Sequence, residues 1–199
     1  AEPDVSSYLE LKRVWKTALG MDIPVPFKRL SYQEAMNRFG IDKPDTRFEM
    51  ELTDFTEDFK ASSFKVFSGA VANGGVVKAI NARGLACATQ GQIETMTEHA
   101  KSFGAKGLAY IKVENGEWKS PIVKFFSDAE KNALQSKLNI EEGDCVFFAA
   151  DKWEIACEVL GRLRLRIAEI QDLHGRSRQP GGQEWNFLWV IDFPLFDWS

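Results

Sequence analysis

Four capping boxes punctuate this chain, and they constrain its fold more than any other feature. In a capping box a Ser or Thr ends the preceding turn, and a Glu or Gln follows three residues later. The two side chains then satisfy free backbone N–H groups at a helix start reciprocally. The pattern occurs as Ser7/Glu10, Ser31/Glu34, Thr89/Gln92 and Ser127/Glu130, with a looser Asp151/Glu154. Apolar residues at helical spacing follow each one, so helices are expected over about 7–19, 32–39, 90–103, 128–138 and 152–173. Gly20, Gly40, Gly104 and Gly175 stand where those helices should stop.

Strands are expected between the helices. FKVFSGAV (64–71) and VVKAINA (76–82) flank AlaAsnGlyGly and read as one hairpin. GLAYIKV (107–113) and WKSPIVKFF (118–126) flank GluAsnGlyGlu and read as a second, with Pro121 marking an edge or a bulge. DCVFFAA (144–150) and EWNFLWVID (185–193) add two more strands. Hairpin, helix, hairpin, helix implies an α+β fold, a two-layer antiparallel sheet-and-helix sandwich with helices on one face. The flanks have no partner of their own. The organisation expected is an insertion at 59–150 between segments 1–58 and 151–199 of another domain. HGRSRQPGGQE (174–184) reads as a loop.

Several chemistries lose support from the sequence alone. Neither GxGxxG nor GxxxxGK[ST] occurs, so GlyGly at 74–75 is not a nucleotide loop. Two histidines, His99 and His174, and three scattered cysteines, Cys87, Cys145 and Cys157, offer no zinc-ligand spacing and no closed disulfide framework. The cysteines read as small core residues of a reducing compartment. No apolar run reaches membrane-spanning length. The net charge of −4 argues against a generally basic nucleic-acid binder but leaves room for a local patch. Glu141, Glu142 and Asp144 read as a solvated turn or a cation site.

Two basic groups stand out. Arg162, Arg164 and Arg166 lie in the fifth expected helix, and Arg176 and Arg178 lie in the following loop. Arginine grips phosphate bidentately, yet alternate positions on a helix do not share a face. Phosphate binding and pairing with Glu158 and Glu169 therefore both stand. The second group is FGIDKPDTRFEMEL (39–52), with Lys43, Asp45 and Arg47 around Pro44. It reads either as an ion-paired connector or as a ligand-binding constellation.

PFKRLSYQEAMNRFGIDKPDTRFEMEL (26–52) resembles the bacterial-type aspartyl-tRNA synthetases, whose pattern here is TYxEAMxRYGSDKPDLR. Ile41 and Thr46 stand where that pattern has Ser and Leu. FGAKGLAYIKV (103–113) resembles the family's GAD insertion, GDCVFFAADKWEIACEVLGRLRLRIAE (143–169) continues the likeness, and FLWVIDFPLFDW (187–198) resembles the return strand. The resemblance implies a class II synthetase, a homodimer in the cytoplasm or an organelle. It would use ATP and magnesium to make aspartyl-adenylate and then charge tRNA(Asp), or tRNA(Asp) and tRNA(Asn). The family's ATP- and aspartate-binding motifs do not occur in this sequence. An excised fragment without catalytic, cofactor-binding or metal residues, inactive alone, is therefore expected. Lys43, Asp45 and Arg47 match the family's DKPDxR positions. They, with Arg162, Arg164, Arg166, Arg176 and Arg178, are the candidate junction or tRNA-contacting residues. The alternatives are a noncatalytic tRNA-binding module and a structural spacer.

Overall fold

The computed structural model of the chain describes residues 5–173 and 185–195. Its elements in chain order are α1 (Val5–Leu19), β1 (Lys28–Ser31), α2 (Tyr32–Phe39), β2 (Thr53–Asp54), α3 (Thr56–Phe59), α4 (Lys65–Ala72), β3 (Val76–Ala82), α5 (Gln90–Ser102), β4 (Ala109–Glu114), β5 (Glu117–Lys119), a 3-10 turn (Val123–Phe125), α6 (Asp128–Leu138), β6 (Cys145–Asp151), α7 (Trp153–Ile170) and β7 (Leu188–Ile191). Capping boxes form at Thr89/Gln92 and Ser127/Glu130, and Ser31 accepts the Glu34 N–H. Helix α1 already begins at Val5, so Ser7 is not its cap.

Five strands make one wholly antiparallel sheet in the order β2-β3-β6-β4-β5. Side chains alternate across a strand, so each strand feeds two faces. Ile80, Ala82, Phe147 and Ala149 pack on one side with Ile93 and Met96 of α5 and Leu160 and Leu163 of α7. Val77, Ala79, Val146 and Phe148 pack on the other with Phe59, Phe67 and Leu134 from α3, α4 and α6. Both faces are thus covered. The expected two-layer sandwich is replaced by three layers, because β6 is apolar at consecutive positions rather than at alternate ones and so feeds both faces.

The first expected hairpin is also corrected. Residues 65–72 are helical, not a strand. Phe64, Phe67 and Val71 recur at helical spacing and meet the same aromatic cluster. The Asn73 N–H donates to Gly69 and Ala70 carbonyls, and Gly74 takes φ +78°, so Asn-Gly here closes a helix. The second hairpin forms as expected: Asn115 and Gly116 both hold positive φ in the turn between Glu114 and Glu117. Its second strand ends at Lys119, before Pro121.

Outside this sheet, β1 and β7 pair in parallel, Lys28 with Leu188 through Ser31 with Ile191. Tyr8 and Trp15 of α1 pack against Phe27, Phe187 and Trp189 around them. Neither β1 nor β2 carried a local signal; each exists through its pairing partner.

Candidate functional site

The 39–52 stretch is held between α2 and α7. Gly40 ends α2 at φ +75° and lies directly on α7. A Cβ at Gly40 would collide with the Cys157 carbonyl and lie 2.7 Å from Gly161 Cα, and one at Gly161 would lie 2.8 Å from the Phe39 carbonyl. The two helices therefore meet backbone to backbone, which only glycine at both positions permits. Asn37 of α2 adds polar contacts: its Oδ1 accepts the Trp153 indole N–H at 2.8 Å and the Lys78 ammonium at 3.3 Å. Lys78 is only 2% exposed and also reaches toward Asp54 at 3.7 Å.

Arg164 organises the rest of the stretch. It is fully buried on the face of α7 that carries Leu160, Leu163 and Ile167. Its Nε donates to the Met50 carbonyl at 3.0 Å, and its Nη2 donates to the Asp45 and Phe48 carbonyls at 2.7 and 2.9 Å. The guanidinium lies 4.0 Å from the Phe48 ring centroid and 5.2 Å from that of Phe39. Burial lowers its pKa to about 10, against the pull of Asp45 and Glu51. Met50 holds a left-handed φ of +88°, a conformation that side-chain-bearing residues adopt at a cost. One guanidinium spanning four carbonyls, that of Glu49 at 3.5 Å included, fixes it there.

Arg47 turns back on Asp45, donating from Nε and Nη2 to its two carboxylate oxygens at 2.9 and 2.6 Å. That contact raises the Arg47 pKa. Arg38 grips Glu51 bidentately at 2.7 and 2.6 Å and Glu34 at 2.6 Å; Glu51 in turn has its pKa lowered, chiefly by this hydrogen bonding. Asn186, from the return segment, donates to the Thr46 carbonyl at 3.1 Å. Lys43 is exposed, with no ion pair among the described residues.

The three helix arginines part company. Arg162 pairs with Glu158 at 3.4 Å and lies over Phe103, and Arg166 pairs with Glu169 at 2.8 Å, both on the outer face. Arg164 points inward, so it is no surface contact for phosphate. The signal was in the sequence: Arg164 falls on the apolar stripe, four residues after Leu160 and three before Ile167. Arg176 and Arg178 lie outside the described residues, as do His174 and the expected loop. Asn37, Lys78 and the Gly40/Gly161 contact were missed, because nothing local reveals which helix crosses which.

The acidic turn is internal architecture. Asp144 is buried and accepts from Asn81 Nδ2 at 2.8 Å, Glu141 N at 3.0 Å and Gly84 N at 3.1 Å. Glu142 accepts the N–H groups of Asn115 and Gly116 at 2.7 and 2.9 Å. Carboxylates committed in this way do not fit a magnesium site. Among the described residues no three acidic, His or Cys side chains gather as metal ligands. No described helix is long and apolar enough to cross a membrane.

One long helix, α7, packs on both the five-stranded antiparallel sheet and α2, beside the parallel β1–β7 pair. Residues 67–160 match the GAD domain. The chain is 60% identical to the aspartate–tRNA(Asp/Asn) ligase of Opitutus terrae, covering 95% of this chain and 32% of that protein. The corresponding ligase of Thermodesulfovibrio yellowstonii is 50% identical over 95% of the chain and 30% of its own length. An aspartate–tRNA ligase of Halalkalibacterium halodurans is 46% identical over 95% and 31%. Across nearly its whole length the chain is thus similar to one segment of bacterial aspartate–tRNA ligases. It spans about a third of the length of these relatives.

Proposed function

We propose that the longer protein to which this sequence corresponds is an aspartate–tRNA ligase. It uses ATP and magnesium to form aspartyl-adenylate and transfers the aspartyl group to tRNA(Asp), as a class II homodimer in the cytoplasm. The carrying observation is identity of 42–60% to such ligases across nearly the whole chain. Within that enzyme, 59–150 is the insertion, and 1–58 and 151–199 are catalytic-domain segments. Asp45, Arg47 and Arg164 brace the junction between them, and Lys43, exposed beside them, is a candidate tRNA contact. The test is aminoacylation of tRNA(Asp) by the full-length enzyme, with the 199-residue chain assayed beside it for ATP–pyrophosphate exchange. Aspartylation by the former and none by the latter is expected. Exchange by the chain alone would overturn its reading as a noncatalytic part.

The surface ion pairs favour a spacer role over a tRNA-binding one for the insertion. Arg162 and Arg166 already have carboxylate partners. Titration with tRNA(Asp) and an unrelated tRNA at two salt concentrations separates the two. Phosphate contacts release counterions, so nonspecific binding fades steeply with salt. Preference for tRNA(Asp) that survives added salt would restore the recognition reading, with Arg162, Arg166, Arg176 and Arg178 as the first residues to substitute. Charging assays with tRNA(Asn) decide between the two activities that the relatives' names carry.

A further inference from the structure

Ala150 of β6 turns a backbone donor and a backbone acceptor into a cavity. Val77 of β3, which stands opposite it, spends both of its own backbone groups on the β2 side. The Val77 N–H donates to Thr56 Oγ1 at 3.1 Å, and the Val77 C=O accepts the Phe55 N–H at 2.8 Å. In an antiparallel ladder a residue points its N–H and C=O to the same side, so opposed residues either exchange both bonds or turn away from each other. Val77 and Ala150 turn away. The Ala150 groups therefore face the place where β4 would continue, yet the β4–β6 ladder begins only at Ala109 opposite Phe148. Among the described residues no backbone or side-chain group hydrogen-bonds either of them.

A cavity of about 690 Å3 opens there, within the range of about 300–1,000 Å3 usual for small-molecule sites. Phe67 and Ala70 of α4 wall one side, and Ile155 and Val159 of α7 wall the other. Phe67 packs on one face of the sheet and Val159 on the opposite face, so the space between them continues the layer of the sheet itself. A flat group lying in that layer touches apolar atoms above and below and meets Ala150 along its edge. The mouth carries no excess charge: Lys106 reaches Asp151 at 3.5 Å, and Lys152 is followed by Glu154 in the first turn of α7. That balance favours a neutral occupant. Its edge must set an acceptor against the Ala150 N–H beside a donor against the Ala150 C=O, because backbone groups left unpaired among apolar walls cost free energy.

We propose that this cavity binds a neutral planar heterocycle with a ring acceptor next to an amino donor, the pattern on the Watson–Crick edge of adenine. The ring lies in the sheet layer between α4 and α7, and its edge pairs with the Ala150 backbone. A free nucleoside and an unstacked base of single-stranded RNA offer the same chemistry. The proposal is independent of whether the full-length enzyme charges tRNA.

The probe is adenosine, titrated into the isotope-labelled chain with the Ala150 amide resonance as the readout. N6,N6-dimethyladenosine, which lacks the amino donor, and single-stranded oligoadenylate are titrated in parallel. Saturable movement of the Ala150 resonance is expected with adenosine, with affinity weakened about tenfold or more by dimethylation. Oligoadenylate binding at least as tightly as adenosine assigns the base to RNA, and weaker binding assigns it to a free nucleoside. Gly69 lines the cavity, and a Cβ there meets nothing within 4 Å, so Gly69→Leu fills the space without a clash at its root. That variant should lose the adenosine response while its unfolding midpoint stays unchanged or rises. No saturable response of Ala150 to adenosine or oligoadenylate, equal binding of the dimethylated nucleoside, or undiminished binding by a folded Gly69→Leu protein would each overturn the proposal.

Discussion

Replacing Gly161 with alanine puts the α2–α7 contact to a test of sign. Gly161 lies inside an 18-residue helix, where Gly→Ala on helix propensity alone stabilises by about 1 kcal/mol. Here the added methyl would lie 2.8 Å from the Phe39 carbonyl and from Gly40 C. Both obstacles are backbone, so no side chain can swing aside, and the helices must separate. Overpacking of this kind costs about 1–3 kcal/mol, and the rigid neighbours place this site at the upper end. The net expectation is destabilisation of about 1–2 kcal/mol. Urea unfolding read by circular dichroism measures it, as a lower midpoint at constant slope. Gly91→Ala is the control: it lies in α5 with nothing within 4 Å of a Cβ, and it should raise the midpoint. If Gly161→Ala stabilises as Gly91→Ala does, the close approach of the helices is wrong, and with it the account of how the 39–52 stretch is held.

Three further outcomes follow from the same geometry. Arg164→Met keeps the apolar stem but removes the donors to the carbonyls of residues 45, 48 and 50. A loss of about 2–4 kcal/mol in urea unfolding is expected, with faster proteolysis between 45 and 50, because unpaired buried carbonyls cost more than the buried charge returns. Of the three thiols, only Cys87 should be alkylated in the native chain at mildly alkaline pH, counted by mass spectrometry. Burial pushes the Cys145 thiol to about 12 and the Cys157 thiol to about 11. Glu51 keeps its charge to lower pH when folded, so its pairing with Arg38 stabilises above the ordinary glutamate value of 4.5 and is lost as pH falls below it. Because the pair is half exposed, Glu51→Gln should remove under about 1 kcal/mol, all of it from the near-neutral side of the acid-unfolding curve.

Local chemistry was the legible part of this sequence. Helix α6 runs over Asp128–Leu138 as its capping box and periodicity said, and Asn115-Gly116 makes the expected turn. The same dipeptide at 73–74 misled, because Asn-Gly serves a helix end as well as a hairpin, and only Phe64, Phe67 and Val71 at helical spacing tell them apart. The third layer was hidden in the uniformly apolar β6, which shows no alternation to say which face is wet. At the candidate site, Asp45 and Arg47 were visible as a charged pair two residues apart, whereas Arg164 was grouped with its exposed neighbours by sequence proximity instead of by helix face. Asn37 and Lys78 meet only through the tertiary fold, and no periodicity encodes that meeting.

The pairing of β1 with β7 bears on the order in which the chain folds. Lys28 finds Leu188 only when nearly everything between them has been gathered in. Closing so long a loop from an extended chain is entropically unfavourable, although the penalty grows only by about 0.6 kcal/mol per doubling of length. A folded five-stranded sheet changes the problem. Once β3 and β6 are paired and α7 lies across them, the two chain exits emerge from one body, and α2 has a glycine seat on α7 at Gly161. The folded sheet then acts as a template that converts a distant encounter into a near one. The parallel pair should be the last part of the chain to gain protection from hydrogen exchange and the first to lose it.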